Sequence, residues 1–312
     1  LDKRLIVVAF IVPGFLLLYS ALTHIRLQKV LMEIPAPLYL YFALGYMAQA
    51  ALISIRDSEI VLLTSSTKLR YTTALKARLL SNFVGFLIPG SIGGDAARAM
   101  FYLREGVGAS EALSASVAQG FFDTVTASAF FLILDYLEPL SPVARLTLTL
   151  LASLNLVLWL GLLLYFHSWK EINALEKSLL KLIPKDWLWR LYSGLKLSIT
   201  KPVITLNSAP LYVLTLLGYV ITALPFVPLL HDFPKALLVN QLYQLSSVIP
   251  IPGYAGVSEL ALSAALPPAE VVQVRILEIM CVLVGAPFLK EISIVELRRS
   301  WERMRGNGEV HQ

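Results

Sequence analysis

Apolar residues in this chain come in blocks about twenty residues long, and that feature dictates what it can fold into. The blocks run over Leu5–Leu22, Ala36–Ser54, Ser110–Leu134, Val143–Phe166, Pro210–Leu230 and Val271–Leu289. A helix of that length crosses the hydrocarbon core of a bilayer, where a spanning segment must satisfy its own backbone hydrogen bonds. The 312 residues would otherwise suggest about two soluble domains. Composition overrules that: 57% of residues are hydrophobic and 15% charged, against about 45–50% and about 25% in soluble domains. Disorder, a collagen-like chain, a disulfide scaffold and an ordinary cytosolic enzyme are excluded together. The expectation is an all-α, polytopic membrane helix bundle, one integral membrane domain over residues 1–312.

The first block follows Asp2-Lys3-Arg4, as in a signal peptide, but its apolar stretch is long and no small-x-small cleavage site follows. It reads as a retained anchor. With six spans and the N-terminus inside, only Arg26, Lys29, Arg145, Lys235 and Arg275 of the 26 basic residues fall on the outer side. That bias predicts a cell-membrane protein with both termini cytoplasmic. The net charge of +5 then records topology rather than nucleic-acid binding. Residues 167–208 form the one sizeable polar segment, between a first half at 1–166 and a second at 209–312 that ends in a basic tail, Arg298–Arg305. Ile172–Ile183 and Trp187–Ile199 carry apolar residues at helical spacing, which predicts amphipathic helices on the cytoplasmic leaflet with Trp187 and Trp189 at headgroup level.

Two further apolar stretches, 79–100 and 237–266, are broken by Pro and Gly. The first contains Pro89, Gly90, Gly93, Gly94 and Asp95; the second contains Pro250, Pro252, Gly253, Gly256 and Glu259. Each has a Pro-Gly, a second Gly three residues on, and then an acid. Proline removes a helix donor and glycine admits the angles that reverse a chain. Irregular backbone cannot face lipid, so these breaks must be buried in protein or line a wet cavity. On opposite sides of the membrane they form the pattern of re-entrant helices in an inverted repeat. A helix restarting after each break aims N–H groups and a positive dipole end at the cavity, where a lipid phosphate is the natural guest.

Several side chains have a plain reading beside a functional one. Asp95 and Glu259 either cap their own half-helices or belong to the site. Arg98 lies three residues after Asp95, placed both to pair with it and to meet a phosphate. Gln119 and Asp123 fall inside a span, as do Arg275 and Glu278; intramembrane charge marks a site, while interhelical hydrogen bonds or a structural ion pair are the alternatives. Asn82, Asn240 and Gln49 are weaker candidates of the same kind. The single cysteine, Cys281, reads as helix packing, and the histidines are too scattered for a metal pair. Neither a metal nor another cofactor is expected, and no catalytic constellation is visible.

Pro89-Gly90-Ser-Ile-Gly93-Gly94-Asp95-Ala-Ala-Arg98-Ala, followed by Gly108-Ala-Ser-Glu-Ala-Leu, resembles the first signature of the flippase-like family. That family includes the transmembrane region of lysylphosphatidylglycerol synthases. Ile249-Pro250-Ile-Pro252-Gly253-Tyr-Ala-Gly256-Val-Ser-Glu259 resembles its second signature, and Val274-Arg275-Ile-Leu its short arginine motif. The similarity runs in order along nearly the whole chain. It implies a membrane domain that moves phospholipids or lipid-linked precursors between leaflets. Where family members show Glu-Arg before an Asp, this chain has Gln119-Gly120-Phe-Phe-Asp123, so the Glu and Arg are absent. The chain stops soon after its last span, so the soluble aminoacyl-transferring domain, and with it lipid aminoacylation, is not expected.

The leading expectation is therefore a lipid translocase rather than an enzyme, whose partners are lipids with an anionic or phosphate-bearing headgroup. Asn82, Gly90, Gly93, Gly94, Asp95, Arg98, Gly253, Gly256, Glu259 and Arg275 would surround that headgroup. Two alternatives stand beside it: a membrane-embedded lipid-modifying transferase, which needs its acids to converge, and a non-transporting scaffold for a separate lipid-modifying enzyme.

Overall fold

The computed structural model describes residues 3–88, 91–137, 140–180, 186–204, 208–247, 249 and 251–291. Pro89, Gly90, Pro250, the side chains of Trp187 and Trp189, and the basic tail lie outside the described residues. Those described fold into helices without strands. In chain order these are α1 (Lys3–Leu22), α2 (Leu27–Glu33), α3 (Ala36–Ser65), α4 (Tyr71–Leu87), α5 (Ser91–Arg104), α6 (Ala109–Leu137) and α7 (Pro142–Ser168). There follow α8 (Ala174–Leu180), α9 (Asp186–Ser198), α10 (Ala209–Ala223), α11 (Val227–Leu230), α12 (Phe233–Ser246), α13 (Val257–Leu262) and α14 (Pro268–Val282).

Five helical stretches are long and apolar enough to cross a membrane: α3, α6, α7, α10 continued to Leu230, and α14 continued to Glu291. They fall on five of the six expected spans; at the sixth, α1 is a 20-residue helix whose apolar part among the described residues is Val12–Leu22. The chain is an integral membrane protein. α7 carries the barest apolar surface, with Leu146, Leu150, Leu154, Val157 and Leu158 exposed toward what must be lipid. Prolines begin several helices at their first turn, where a missing N–H costs nothing. Asp232 caps α12 by accepting the Lys235 N–H at 3.1 Å.

One span differs from expectation. The second apolar block was read as ending at Ser54, before the charged pair Arg56-Asp57, but α3 continues for 30 residues to Ser65. Ile60 and Val61 keep its buried face, while Arg56 and Asp57 neutralise each other inside the bundle. Arg56 and Arg78, counted from sequence toward the cytoplasmic flank, are both buried.

The two Pro/Gly-broken stretches are helical hairpins. α4 and α5 lie side by side: Thr73 Oγ1 donates to Glu105 at 2.9 Å where the hairpin opens. Nearer the tip, a Cβ on Gly94 would come within 2.9 Å of the Ser81 carbonyl, so only glycine permits that approach. α12 and α13 pair likewise, with Leu262 and Leu266 packed beside Ala236 and Val239. The first hairpin opens among Ile60 and Val61 of α3, Ala112 of α6, Phe166 of α7 and Leu211 of α10. The second opens among Leu38 and Phe42 at the other end of α3, Phe226 just past α10, and Val271 and Val274 of α14. The two hairpins approach each other where Gly253 meets Phe86 of α4. Gly253, at φ +56°, turns the second tip so tightly that a Cβ there would lie 2.1 Å from Val12 Cγ2 and 3.1 Å from Phe86 Cζ.

The polar segment after α7 is tied to the bundle. Gly194 brings α9 against Ser110 of α6, where a Cβ would sit 2.4 Å from the serine Cβ. Buried Lys196 on α9 meets both Glu176 oxygens at 2.8 and 2.9 Å. Burial works against the charged form of Glu176, but Lys196, the Tyr192 hydroxyl and the Asn173 N–H outweigh it and hold the carboxyl at about 2, below its ordinary 4.5. The tie is thus in force above about 4.5 and fades as pH falls through 2. Limited proteolysis of this segment in detergent should accelerate over that window, and Glu176→Gln should make cleavage fast at neutral pH. Gly253→Ala should cost about 1–3 kcal/mol by thermal unfolding, from strain at a left-handed position and displacement of Val12. Gly161→Ala, with open space around it, should be neutral.

Candidate functional site

The hairpin tips border a cavity of about 430 Å³. Its wall takes Arg78, Asn82 and Phe86 from α4, Gly94 and Arg98 from α5, and Gly120 and Asp123 from α6. Asn240 and Tyr243 of α12, Tyr254 of the second tip, and Glu278 and Cys281 of α14 complete much of the far side. Tyr46, Gln49, Trp159 and Tyr219 contribute from the surrounding spans.

Charge on one side of this cavity is organised by three arginines and three aspartates. Arg56 gives Nε and Nη2 to Asp57 Oδ1 at 3.1 and 2.6 Å, and Nη1 to Asp123 Oδ1 at 2.6 Å and Thr215 Oγ1 at 2.9 Å. Arg78 Nη1 reaches Asp123 Oδ2 at 2.9 Å and lies 3.7 Å from Asp57 Oδ2. Asp123 thus bridges two guanidinium groups, and the Tyr219 hydroxyl donates to its carbonyl at 2.5 Å. Arg98 pairs with Asp95 one turn earlier on α5, and Ser116 donates to the Asp95 carbonyl at 2.9 Å. Buried ion pairs survive only when such bonds return what desolvation takes.

A second set holds the α12–α13 tip. Arg275, with no exposed surface, gives Nε to Glu259 Oε1 at 2.9 Å, Nη2 to the Gly253 carbonyl at 2.7 Å, and Nη1 to Glu278. Glu259 Oε2 in turn accepts the Gly256 N–H at 2.7 Å, capping α13.

The geometry separates the sequence candidates. Asn82, Gly94, Arg98, Asp123 and Glu278 come together on the cavity wall, and Asn82 donates to the Tyr46 hydroxyl at 3.2 Å. Asp95 supports Arg98 from behind, and Gly93 packs on Ile88. Gln119 is fully buried, bonded to the Tyr102 hydroxyl and the Asp57 carbonyl, which is the interhelical role. Gly253, Gly256, Glu259 and Arg275 build the second tip. The expectation of an anion at the start of the second half-helix is corrected: a carboxylate of the chain, Glu259, already takes the Gly256 N–H. Arg275 gives its donors to the protein rather than to the cavity. Gly90 and the breaks at Pro89 and Pro250 lie outside the described residues, and Pro252 begins the short helical turn that carries Gly253.

Arg56, Asp57 and Arg78 were missed as site residues. A signal existed: apolar residues at helical spacing continue past Arg56-Asp57 through Ile60 and Val61, which should have extended the span over the charges.

The arrangement leaves specific hydrogen-bonding capacity unused. Among the described residues, the buried Arg78 Nε and Arg98 Nε have no partner. Both side chains are more than nine-tenths buried, with 8% and 5% exposed. Buried guanidinium donors without acceptors are costly.

These features define an integral membrane protein with a charged cavity between its helices. The chain belongs to the lysylphosphatidylglycerol synthase TM region family, whose profile matches residues 4–289. No curated protein matches it.

Arg56→Met should destabilise the protein by about 3–5 kcal/mol, because it strands the Asp57 carboxylate in the interior. Arg56→Met combined with Asp57→Leu should recover much of that loss, since Arg78 and Asp123 still pair. Thermal unfolding of the four proteins in one detergent measures the coupling.

Proposed function

We propose that this protein moves a phosphate-bearing lipid between membrane leaflets, holding the headgroup in the cavity while the tails stay in the bilayer. The observation that carries the reading is a cavity walled by Arg78 and Arg98, whose buried Nε groups have no partner among the described residues. Arginine is the side chain best matched to phosphate oxygens. At about 30 Å³ per water the space takes about fourteen waters, enough for a polar headgroup and too little for acyl tails as well. Asn82 and Gly94 flank the two arginines, and Asp95 fixes Arg98. Glu259 and Arg275 act one step back, by shaping the second tip.

In this reading the hairpins are re-entrant helices in an inverted repeat, and their exchange of packing alternately opens the cavity to each side. Both termini lie on the cytoplasmic side of a cell membrane in this reading, which the Lys and Arg of the flanks support. The transferase alternative is less supported, because it needs acids that converge. Asp95, Asp123 and Glu259 instead engage different arginines. Among the described residues no group of three His, Cys, Asp or Glu could hold a metal.

The test is reconstitution in vesicles of phosphatidylcholine with a fluorescent-tailed phosphatidylglycerol, followed by quenching of the outer-leaflet probe. Arg78→Ala and Arg98→Ala should each slow probe exchange by about 10- to 100-fold, the worth of a hydrogen bond to a charged group. Wild-type rates in the double variant would overturn the assignment.

A further inference from the structure

The acids of the bundle are not equivalent. Asp123 is bridged by Arg56 and Arg78, and Asp57 and Asp95 are each bonded to an arginine. Glu259 takes three donors: Arg275 Nε at 2.9 Å, the Gly256 N–H at 2.7 Å and the Ser258 hydroxyl at 3.1 Å. Glu278 has one, Arg275 Nη1, through Oε2. Its Oε1 is buried and has no partner among the described residues, and Glu278 lines the cavity. Arg275 is therefore shared by two glutamates. If both are ionised, the set carries one uncompensated negative charge in the membrane interior.

The groups around Glu278 do not remove that excess. On its own helix stand Arg275, already bonded to Glu259 and the Gly253 carbonyl, and Cys281. Tyr46 of α3, Tyr243 of α12 and Tyr254 of the second tip share the cavity as neutral groups. Arg78 of α4 also lines it, but its charge is taken by Asp123. A proton on Glu278 is what balances the set: Arg275 and Glu259 remain a neutral pair, and the buried Oε1 no longer carries an uncompensated charge at the cavity wall.

We propose that Glu278 is a proton-binding site that couples occupancy of the cavity to proton uptake, one proton accompanying one anionic headgroup. The inference rests on the lipid-transport reading and adds its energy source. An ionised Glu278 on the wall repels a phosphate and a protonated one does not, so phosphate and proton each favour the other's binding by the same factor. Proton and phosphate together cross with no net charge, which removes most of the penalty of carrying an anion through a low-dielectric interior.

Two measurements on the full chain decide it. In the vesicles described above, an imposed pH difference should shift the steady-state leaflet distribution of labelled phosphatidylglycerol by up to about tenfold per pH unit. In Glu278→Gln, whatever its exchange rate, that distribution should no longer follow the gradient. Separately, infrared difference spectroscopy of the wild-type protein should show a protonated-carboxyl stretch that titrates with pH and is missing in Glu278→Gln. A wild-type distribution that ignores the gradient, a Glu278→Gln distribution that still follows it, or the same carboxyl band in both proteins would overturn the proposal. If the probe does not move at all, the transport reading falls, while the infrared band still reports whether Glu278 binds a proton.

Discussion

No backbone N–H or C=O can be left unpaired in an apolar layer, because each costs several kcal/mol. That constraint bears hardest at two places where a helix is interrupted inside the bundle. At the second tip the answer is a single side chain. Arg275 reaches from α14 to the Gly253 carbonyl and, through Glu259, to the Gly256 N–H. One guanidinium thereby satisfies a carbonyl, orients a cap and joins three parts of the chain. At the first tip the legs of the hairpin approach through Gly85 and Gly94, and Ile88 closes over Gly93.

The interior then holds charges in near balance. Three arginines face three aspartates around Asp123, and little net field remains to trap an anion. The proposed carrier role needs that restraint: a headgroup held by a strongly positive pocket would enter and not leave. What the site offers is a few spare donors on groups already fixed in place, so binding loses little side-chain entropy. The acid that stands out is Glu278, the second carboxylate on an arginine that has only one charge to give.

Much of this was legible in the sequence. Blocks of apolar residues locate five membrane-spanning helices, though α3 runs on to Ser65, past the expected end at Ser54. The two interruptions are marked by proline and glycine, whose backbone chemistry is local and therefore visible without a fold. Arg98 and Asp95 are neighbours on one helical turn, so their pairing follows from spacing alone. Arg56, Asp57 and Arg78 were hidden because charge inside a span imitates the end of a span. Whether it is one depends on a partner such as Asp123, which lies 67 residues away from Arg56. The filled start of α13 was hidden for a related reason: a glutamate at the third position of a helix reads equally as a cap or as part of a site, and only coordinates show which donor it takes.

Cys281 is the single thiol of the chain, and it sits on the cavity wall one helical turn from Glu278. Its environment makes it a built-in sentinel. In the proposed transport cycle, the rate at which a small water-borne alkylating reagent modifies that sulfur from each side follows which way the chamber is open. A bulky adduct would plug the chamber, and the native sequence thus carries its own handle for catching the protein in a single state.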